Sequence, residues 1–269
     1  MEWLRPLTRW STDGTAARLA AASSKRAGTA VLDWFGAYYA GAASSAAEPY
    51  RNAAALLGNG KDSDLTDTAW LVAALSHIEE IDDGHRLAML HPGVVVIPPV
   101  LGLAARHAVS FAQMRTAITA GYEVAVRIGA ALGPEHYKRH HTTATAGVFG
   151  AAAAAGVLLD LDEERALWAL GHAGTQAAGL WQLLDDGAEA AKPAHIGHAV
   201  RNGLWAASLA KSGVPGATRI LEGDRGLAKA FGLSLDRSKL KPADTVENLA
   251  LTTATTKAWP VCGQMHHIL

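Results

Sequence analysis

Four short polar segments interrupt otherwise apolar stretches of this chain, and each carries side chains that move protons or hold carboxylates. The first reads Glu79-Glu80-Ile81-Asp82-Asp83, followed by His85 and His91. The second is His140-His141, with Thr142 and Thr143 directly after it. The third is Lys192 with His195, and the fourth is His266-His267. Histidine titrates near neutrality and serves as acid or base. A lysine can hold a substrate carboxylate and stabilise an enolate-like charge. If the segments meet, they offer carboxylates, imidazoles and an ammonium, with no nucleophilic cysteine or serine elbow. That set suits proton transfer beside a carboxylate. Taken singly, each residue also has a plainer reading. A histidine at a helix end is most often a surface or capping residue, and Asp82-Asp83 can simply bond backbone N–H groups at a turn. There is no His-Glu-x-x-His and no cysteine pair at ligand spacing, so no metal is expected.

Those segments fall at the ends of predicted helices. The stretch EHYKRHHTTATAGVFGAAAAA, from Glu135 to Ala155, turns from basic and polar to nearly pure small residues. It predicts a buried helix over 144–159, with Thr142 or Thr143 as N-cap. A helix start presents free N–H donors and partial positive charge, so two imidazoles there would suit an anionic ligand. Apolar residues at helical spacing predict further helices over 25–43, 62–76, 94–107, 110–132, 162–184, 192–212 and 222–231. Ser63 or Thr66 can cap the second of these. Residues 1–22 read as a loose lead-in with one short helix. After Ser234 the chain is polar and threonine-rich, and could begin a strand or a last helix. The expected fold is all-α, a compact multi-helix globule packed closely through alanine and glycine.

Composition narrows the function classes. The 269 residues allow one large domain or two small ones, and a 49% hydrophobic fraction permits a sizeable core. A net charge of −1 gives no reason to expect nucleic acid or an anionic membrane as partner. The single cysteine, Cys262, excludes an intrachain disulfide and fits a reducing cytoplasm. The N-terminus lacks a signal-peptide core. The longest apolar runs, such as 94–105, carry prolines and fall short of a membrane span.

Several blocks, in sequence order, resemble the MmgE/PrpD family. They are RAGTAVLDWFGAYYAG (26–41), HIEEIDDGH with HPGVVVIPPVLGLA, AITAGYEVAVRIG (117–129), HTTATAGVFGAAAAAGVLLDLD (141–162), GTQAAGL, KPAHIGHAVRNGLWAASLAKSGVPG (192–216) and LEGDRGLAKAFG. The family includes methylcitrate dehydratases, cis-aconitate decarboxylases and an iminodisuccinate epimerase. The resemblance implies an all-α domain, usually dimeric, with a cofactor-free site for di- and tricarboxylates. Family members carry a second, α/β lid domain. Here 1–233 resembles the helical domain, and 234–269 leads toward the missing lid. The family's first catalytic aspartate falls on Glu80. Its Asp-Asp pair is kept as Asp82 and Asp83, and the threonine after it becomes Gly84. The His-Pro histidine is His91. The histidine before the alanine-rich helix is His141, with Thr142 in place of the usual proline. Lys192 and His195 match the lysine and the His-x-Gly element. Lys257, Pro260 and His266 match the terminal motif.

The roles implied by the resemblance follow those matches. Lys192 and His141 hold carboxylates, and His91 and His266 are acid/base candidates. Glu80 orients a histidine or binds substrate as a protonated carboxyl. Asp82, Asp83, Thr142 and His195 complete the substrate contacts. The expected activity is a cofactor-free lyase, a dehydratase or decarboxylase of a small polycarboxylic acid. An isomerase (epimerase or cyclase) using the same enolate is one alternative. A non-catalytic helical subunit needing a lid-bearing partner is another. A homodimer is expected, with a second polypeptide or a second copy covering the site.

Overall fold

The computed structural model describes residues 2–57 and 64–261. Ser63, Cys262, His266 and His267 therefore lie outside the described residues. The helices, in chain order, begin with α1 (Arg5–Thr12), α2 (Thr15–Ala22), α3 (Ser24–Ala43), α4 (Glu48–Leu57) and α5 (Leu65–Leu75). Next come α6 (Pro92–Ala104), α7 (Phe111–Tyr137), α8 (Thr142–Thr145), α9 (Gly147–Leu158) and α10 (Glu163–Thr175). The rest are α11 (Gln182–Asp185), α12 (Lys192–Lys211), α13 (Leu227–Ala230) and α14 (Ala250–Thr253). Among the described residues there is no strand, only isolated bridges such as Gly84 with Thr255. No helix among them is long and apolar enough to cross a membrane.

The centre is built from α6, α7, α9 and α12. Each carries small residues where a neighbour passes, so the backbones approach closely. A Cβ on Gly121 would lie 2.6 Å from Val96, and one on Gly203 would lie 2.5 Å from Ala151. Helix α6 is buried from Pro92 to Val100 despite Pro98 and Pro99. Helix α7 opens with a capping box in which Gln113 N–H donates to Ser110 Oγ and Ser110 N–H donates to Gln113 Oε1. Its regular part stops at Gly133, whose φ of +71° breaks the helix before Pro134.

Several sequence expectations change in the folded chain. Helix α5 starts at Leu65 under Asp64, not under Ser63 or Thr66. The lead-in is two helices, α1 and α2, with Leu4, Leu7, Trp10 and Leu19 buried. The expected 162–184 helix ends at Thr175, and the loop after it needs Gly179 at φ +117°, a region open mainly to glycine. Only the turn α13 forms within 222–231.

The alanine-rich helix also differs. It is split at Ala146 into α8 and α9, and its N-cap position is His141. The threonine hydroxyls serve their neighbours instead. Thr143 Oγ1 accepts from His91 N–H, and Thr145 Oγ1 pairs with His136 Nε2.

Among the described residues, the segment 234–261 is neither a strand nor a long helix. It runs as a strap along α7, turns once as α14, and returns to Gly84. There the Gly84 and Thr255 backbones exchange hydrogen bonds of 2.9 and 2.8 Å.

Candidate active site

The loop between α5 and α6 (residues 76–91) carries most of the chemistry. Asp82 is its buried centre, 1% exposed. Asp82 Oδ2 lies 3.0 Å from His77 Nδ1 and 3.1 Å from His91 Nδ1. A carboxylate only accepts, which assigns the His77 proton to Nδ1. His91 Nδ1 also sits 2.7 Å from the Asp83 carbonyl oxygen, another acceptor, so that nitrogen is protonated too. The His77 Nε2 is left without a partner among the described residues. Burial alone would raise the Asp82 carboxyl, but His77 and His91 outweigh it and hold the group well below the usual range. Burial lowers His77 and keeps it neutral.

Asp83 has a different environment. Its Oδ1 accepts from Gly93 N–H at 2.9 Å and its Oδ2 from the Tyr122 hydroxyl at 2.7 Å. Burial pushes its carboxyl up. With both oxygens taken, Asp83 braces the start of α6.

Glu80 stands at φ +54°, a left-handed conformation rare for a glutamate. It meets two ammonium groups. Lys192, the first residue of α12, bonds Oε1. Lys257, at the end of the strap, bonds the Glu80 carbonyl and lies 3.6 Å from Oε2. Burial opposes ionisation, but His77, Lys192 and His91 prevail and hold the Glu80 carboxyl down to about 2. These neighbours favour the carboxylate form of Glu80.

The third contribution comes from the chain ahead of α8. His141 is 1% exposed, and its N–H donates to Gly179 O at 2.8 Å. Its ring stacks between His77 at 5.7 Å and Trp181 at 4.5 Å, and stands 5.7 Å from His195. Burial first, then the neighbouring His77 ring and the Lys192 ammonium, keep His141 well below its ordinary value. His195 is also lowered by burial.

Lys192, His91 and His141 thus meet around Glu80 and Asp82. Neither of the two larger cavities is lined by Glu80, Asp82, His91, His141 or Lys192. Glu80 itself fills the space between the lysines. His195 lines a neighbouring cavity of about 340 Å³ together with Gln176, His198 and Asn202. His266 falls outside the described residues.

Two participants were not singled out from sequence: His77 and, as a site residue, Lys257. His77 directly follows an apolar helix, where a lone histidine carries no signal. Lys257 lies in a threonine-rich stretch, with only its place in the terminal motif to mark it.

Six buried polar atoms at this centre have no hydrogen-bond partner among the described residues: His77 Nε2, Glu80 Oε2, Asp82 Oδ1, His141 Nδ1, Thr142 Oγ1 and His195 Nδ1. Buried polar groups are normally paired, so such a concentration marks a place where a polar ligand or water completes the set. His77, Asp82 and His91 also bring potential ligand atoms within 4.8 Å of one another, a grouping that could hold a metal. Sequence spacing did not reveal it. As placed, the protonated Nδ1 atoms make this trio a hydrogen-bonded frame. A cation would have to displace both protons.

Among the described residues, the polar centre of this all-α body is a carboxylate–imidazole frame beside two lysines. The profile of the MmgE/PrpD N-terminal domain matches residues 5–237. The chain belongs to the MmgE/PrpD family, a family of lyase type. It is 31% identical over 189 residues to the cis-aconitate decarboxylase-like protein oryM of Aspergillus oryzae, covering 67% of this chain and 38% of that protein. It is 30% identical over 224 residues to a cis-aconitate decarboxylase of Aspergillus terreus, covering 78% of this chain and 45% of the relative. The chain thus spans less than half the length of these curated relatives.

Proposed function

We propose that this chain is the helical half of a lyase that decarboxylates or dehydrates a small polycarboxylic acid by proton transfer alpha to a carboxylate. The observation that carries the reading is the cluster of unpartnered buried polar atoms beside two ammonium groups. Lys192 and Lys257 take a substrate carboxylate, with Glu80 giving up part of its hold on them. His141 Nδ1 and Thr142 Oγ1 bond a second carboxylate. His91, oriented by Asp82 and the Asp83 carbonyl, presents its bare Nε2 to the reacting carbon.

In dehydration, Nε2 removes the alpha proton, the electron pair forms the double bond as the C–O bond breaks, and the hydroxyl leaves as water with a proton supplied by the His91 imidazolium so formed. In decarboxylation, His91 first takes a proton from solvent at Nε2; the C–C bond then breaks, carbon dioxide leaves with the carboxylate oxygens, and the carbanion takes that Nε2 proton, which returns His91 to its starting state. The ammonium groups stabilise the intermediate charge in both cases. Asp83 and Tyr122 brace the loop, and His195 stands toward the neighbouring cavity. The reaction uses no metal or cofactor in this reading. The Lys192 and Glu80 side chains are 18% and 24% exposed. We include in the proposal a second polypeptide, or a second copy of this chain, that covers the site and excludes water during turnover.

The test is a calorimetric panel with tricarballylate, succinate, inorganic phosphate and the uncharged tricarballylic triamide. The reading expects tricarballylate to bind more tightly than succinate and the triamide not to bind. Equal affinity for phosphate and tricarballylate would overturn it. Incubation with cis-aconitate, followed by NMR, then shows whether carbon dioxide or water is exchanged with the substrate.

A further inference from the structure

Glu123 is a fully buried carboxylate on α7, outside the polar centre. Its oxygens are all spoken for. Oε1 accepts from Ala243 N–H at 2.6 Å and Arg127 Nε at 2.7 Å, and Oε2 accepts from Ala250 N–H at 2.8 Å. Arg127 passes the hold onward, donating to Asn248 O at 2.8 Å. From the opposite side, Arg26 donates to the carbonyls of Leu251 and Ala254. The strap is thereby gripped from 243 to 254. Immediately after the grip, Thr255 pairs with Gly84, and two residues on Lys257 reaches Glu80. An irregular segment makes few backbone bonds of its own, so these partners decide its path.

We propose that Glu123 is a positioning residue for Lys257. Its carboxylate fixes the strap, the strap holds the Lys257 ammonium against Glu80, and this sets the affinity of the site for a carboxylate ligand. The last clause rests on the reading under Proposed function; the positioning does not. A lysine stem is long and flexible, so an ammonium keeps one place only if its backbone is held.

The experiment is competitive acetylation of the purified chain with acetic anhydride, read peptide by peptide by mass spectrometry. Lys138, 65% exposed, serves as internal standard. Glu123→Gln leaves one acceptor oxygen for three donors and turns an amide N–H₂ toward them. Lys257 labelling should rise about tenfold, the scale of one lost charge-assisted hydrogen bond. Lys192 labelling should stay within about twofold. Arg26→Met, at a half-buried position, loosens the strap from its other side and should act in the same direction. It decides the matter if Glu123→Gln does not fold.

Tricarballylate affinity should fall about tenfold in Glu123→Gln, with no further loss when Lys257→Ala is added. Unchanged Lys257 labelling in the folded variants would overturn the positioning, as would an equal rise at Lys192. Raised Lys257 labelling with tricarballylate affinity unchanged in both Glu123→Gln and Lys257→Ala would uphold the positioning and sink the carboxylate-site reading.

Discussion

Two buried carboxylates in this molecule have opposite surroundings. Glu123 receives three N–H donors, two from the strap backbone and one from Arg127, and leaves no oxygen unused. Asp82 receives two imidazole donors on one oxygen and leaves the other, Oδ1, buried without a hydrogen-bond partner among the described residues. Around Asp82 the same incompleteness recurs at His77, Glu80, His141 and Thr142. Neither Glu123 oxygen is among the unpartnered atoms, and a cavity of about 1080 Å³ lined by His85, Arg127, Ala243 and Ala250 lies beside it. A buried carboxylate whose donors are complete holds a structure together. One whose neighbours are incomplete stores unmet polarity, which a ligand can satisfy when it arrives. The comparison separates a structural anchor from a chemical centre without any appeal to function.

Substitutions can break or sharpen that contrast. The largest effect is expected at Asp82. Asp82→Asn offers its imidazole neighbours an N–H₂ group as well as an oxygen, so the rings lose their fixed tautomers. Turnover should fall by about 10²–10⁴, the range of general acid–base catalysis. Loss of less than about threefold, in a folded variant, would mean Asp82 is merely another anchor. Next is Lys192→Ala, which strips the main cation from Glu80. Tricarballylate binding should weaken by about a hundredfold by calorimetry, within the range for removing one member of a buried charged pair.

At Glu123 the sign of the effect differs in kind. Glu123→Gln should cost stability of about 1.5–3 kcal/mol, seen as a drop of several degrees in Tm, while His91 keeps its Asp82 contact.

Acid sharpens the contrast further. His77 and His141 are lowered by burial, and His85 is lowered to about 4. Below the unfolded value near 6.5, the unfolded chain binds protons that these folded histidines refuse. Stability is therefore full above about pH 6.5 and declines as pH falls. Glu80, held down to about 2, adds a second loss from about pH 4.3 downward. Urea midpoints at pH 8, 6 and 5 should fall in that order, and a midpoint higher at pH 5 than at pH 8 would contradict the neutral-histidine assignment.

A smaller effect is expected at Trp181, whose ring covers His141. Trp181→Ala should weaken tricarballylate binding by about two- to tenfold, the worth of one ring stack. Chelation with EDTA should leave binding and turnover unchanged. Loss restored by one divalent ion would show that His77, Asp82 and His91 bind a metal.

Much of the site was legible because its residues punctuate apolar helices. His91, His141 and Lys192 each mark a helix start, and polar breaks in apolar periodicity survive in a bare sequence. What periodicity omits is which breaks face one another. Asp82 and Asp83 are neighbours of one type, yet one joins two histidines while the other ties Gly93 to Tyr122, a difference set by the turn of the loop. The threonines before the alanine-rich helix looked like caps because a cap is a local pattern. In the fold, Thr143 serves His91 across 52 positions of sequence. The strap was illegible for a related reason. Its path is fixed by Glu123 and Arg26 from distant helices, and nothing in its own threonine-rich composition records them.

The central claim is that His91, held by Asp82, moves a proton at a carbon beside a carboxylate. Its most direct test is hydrogen–deuterium exchange into tricarballylate in deuterium oxide, followed by proton NMR. The account predicts loss of the C–H signals with the wild-type chain and no loss with His91→Asn, while Lys138→Ala behaves as wild type. Tricarballylate that binds the wild-type chain without exchanging, or that still exchanges at the wild-type rate in His91→Asn, would contradict it.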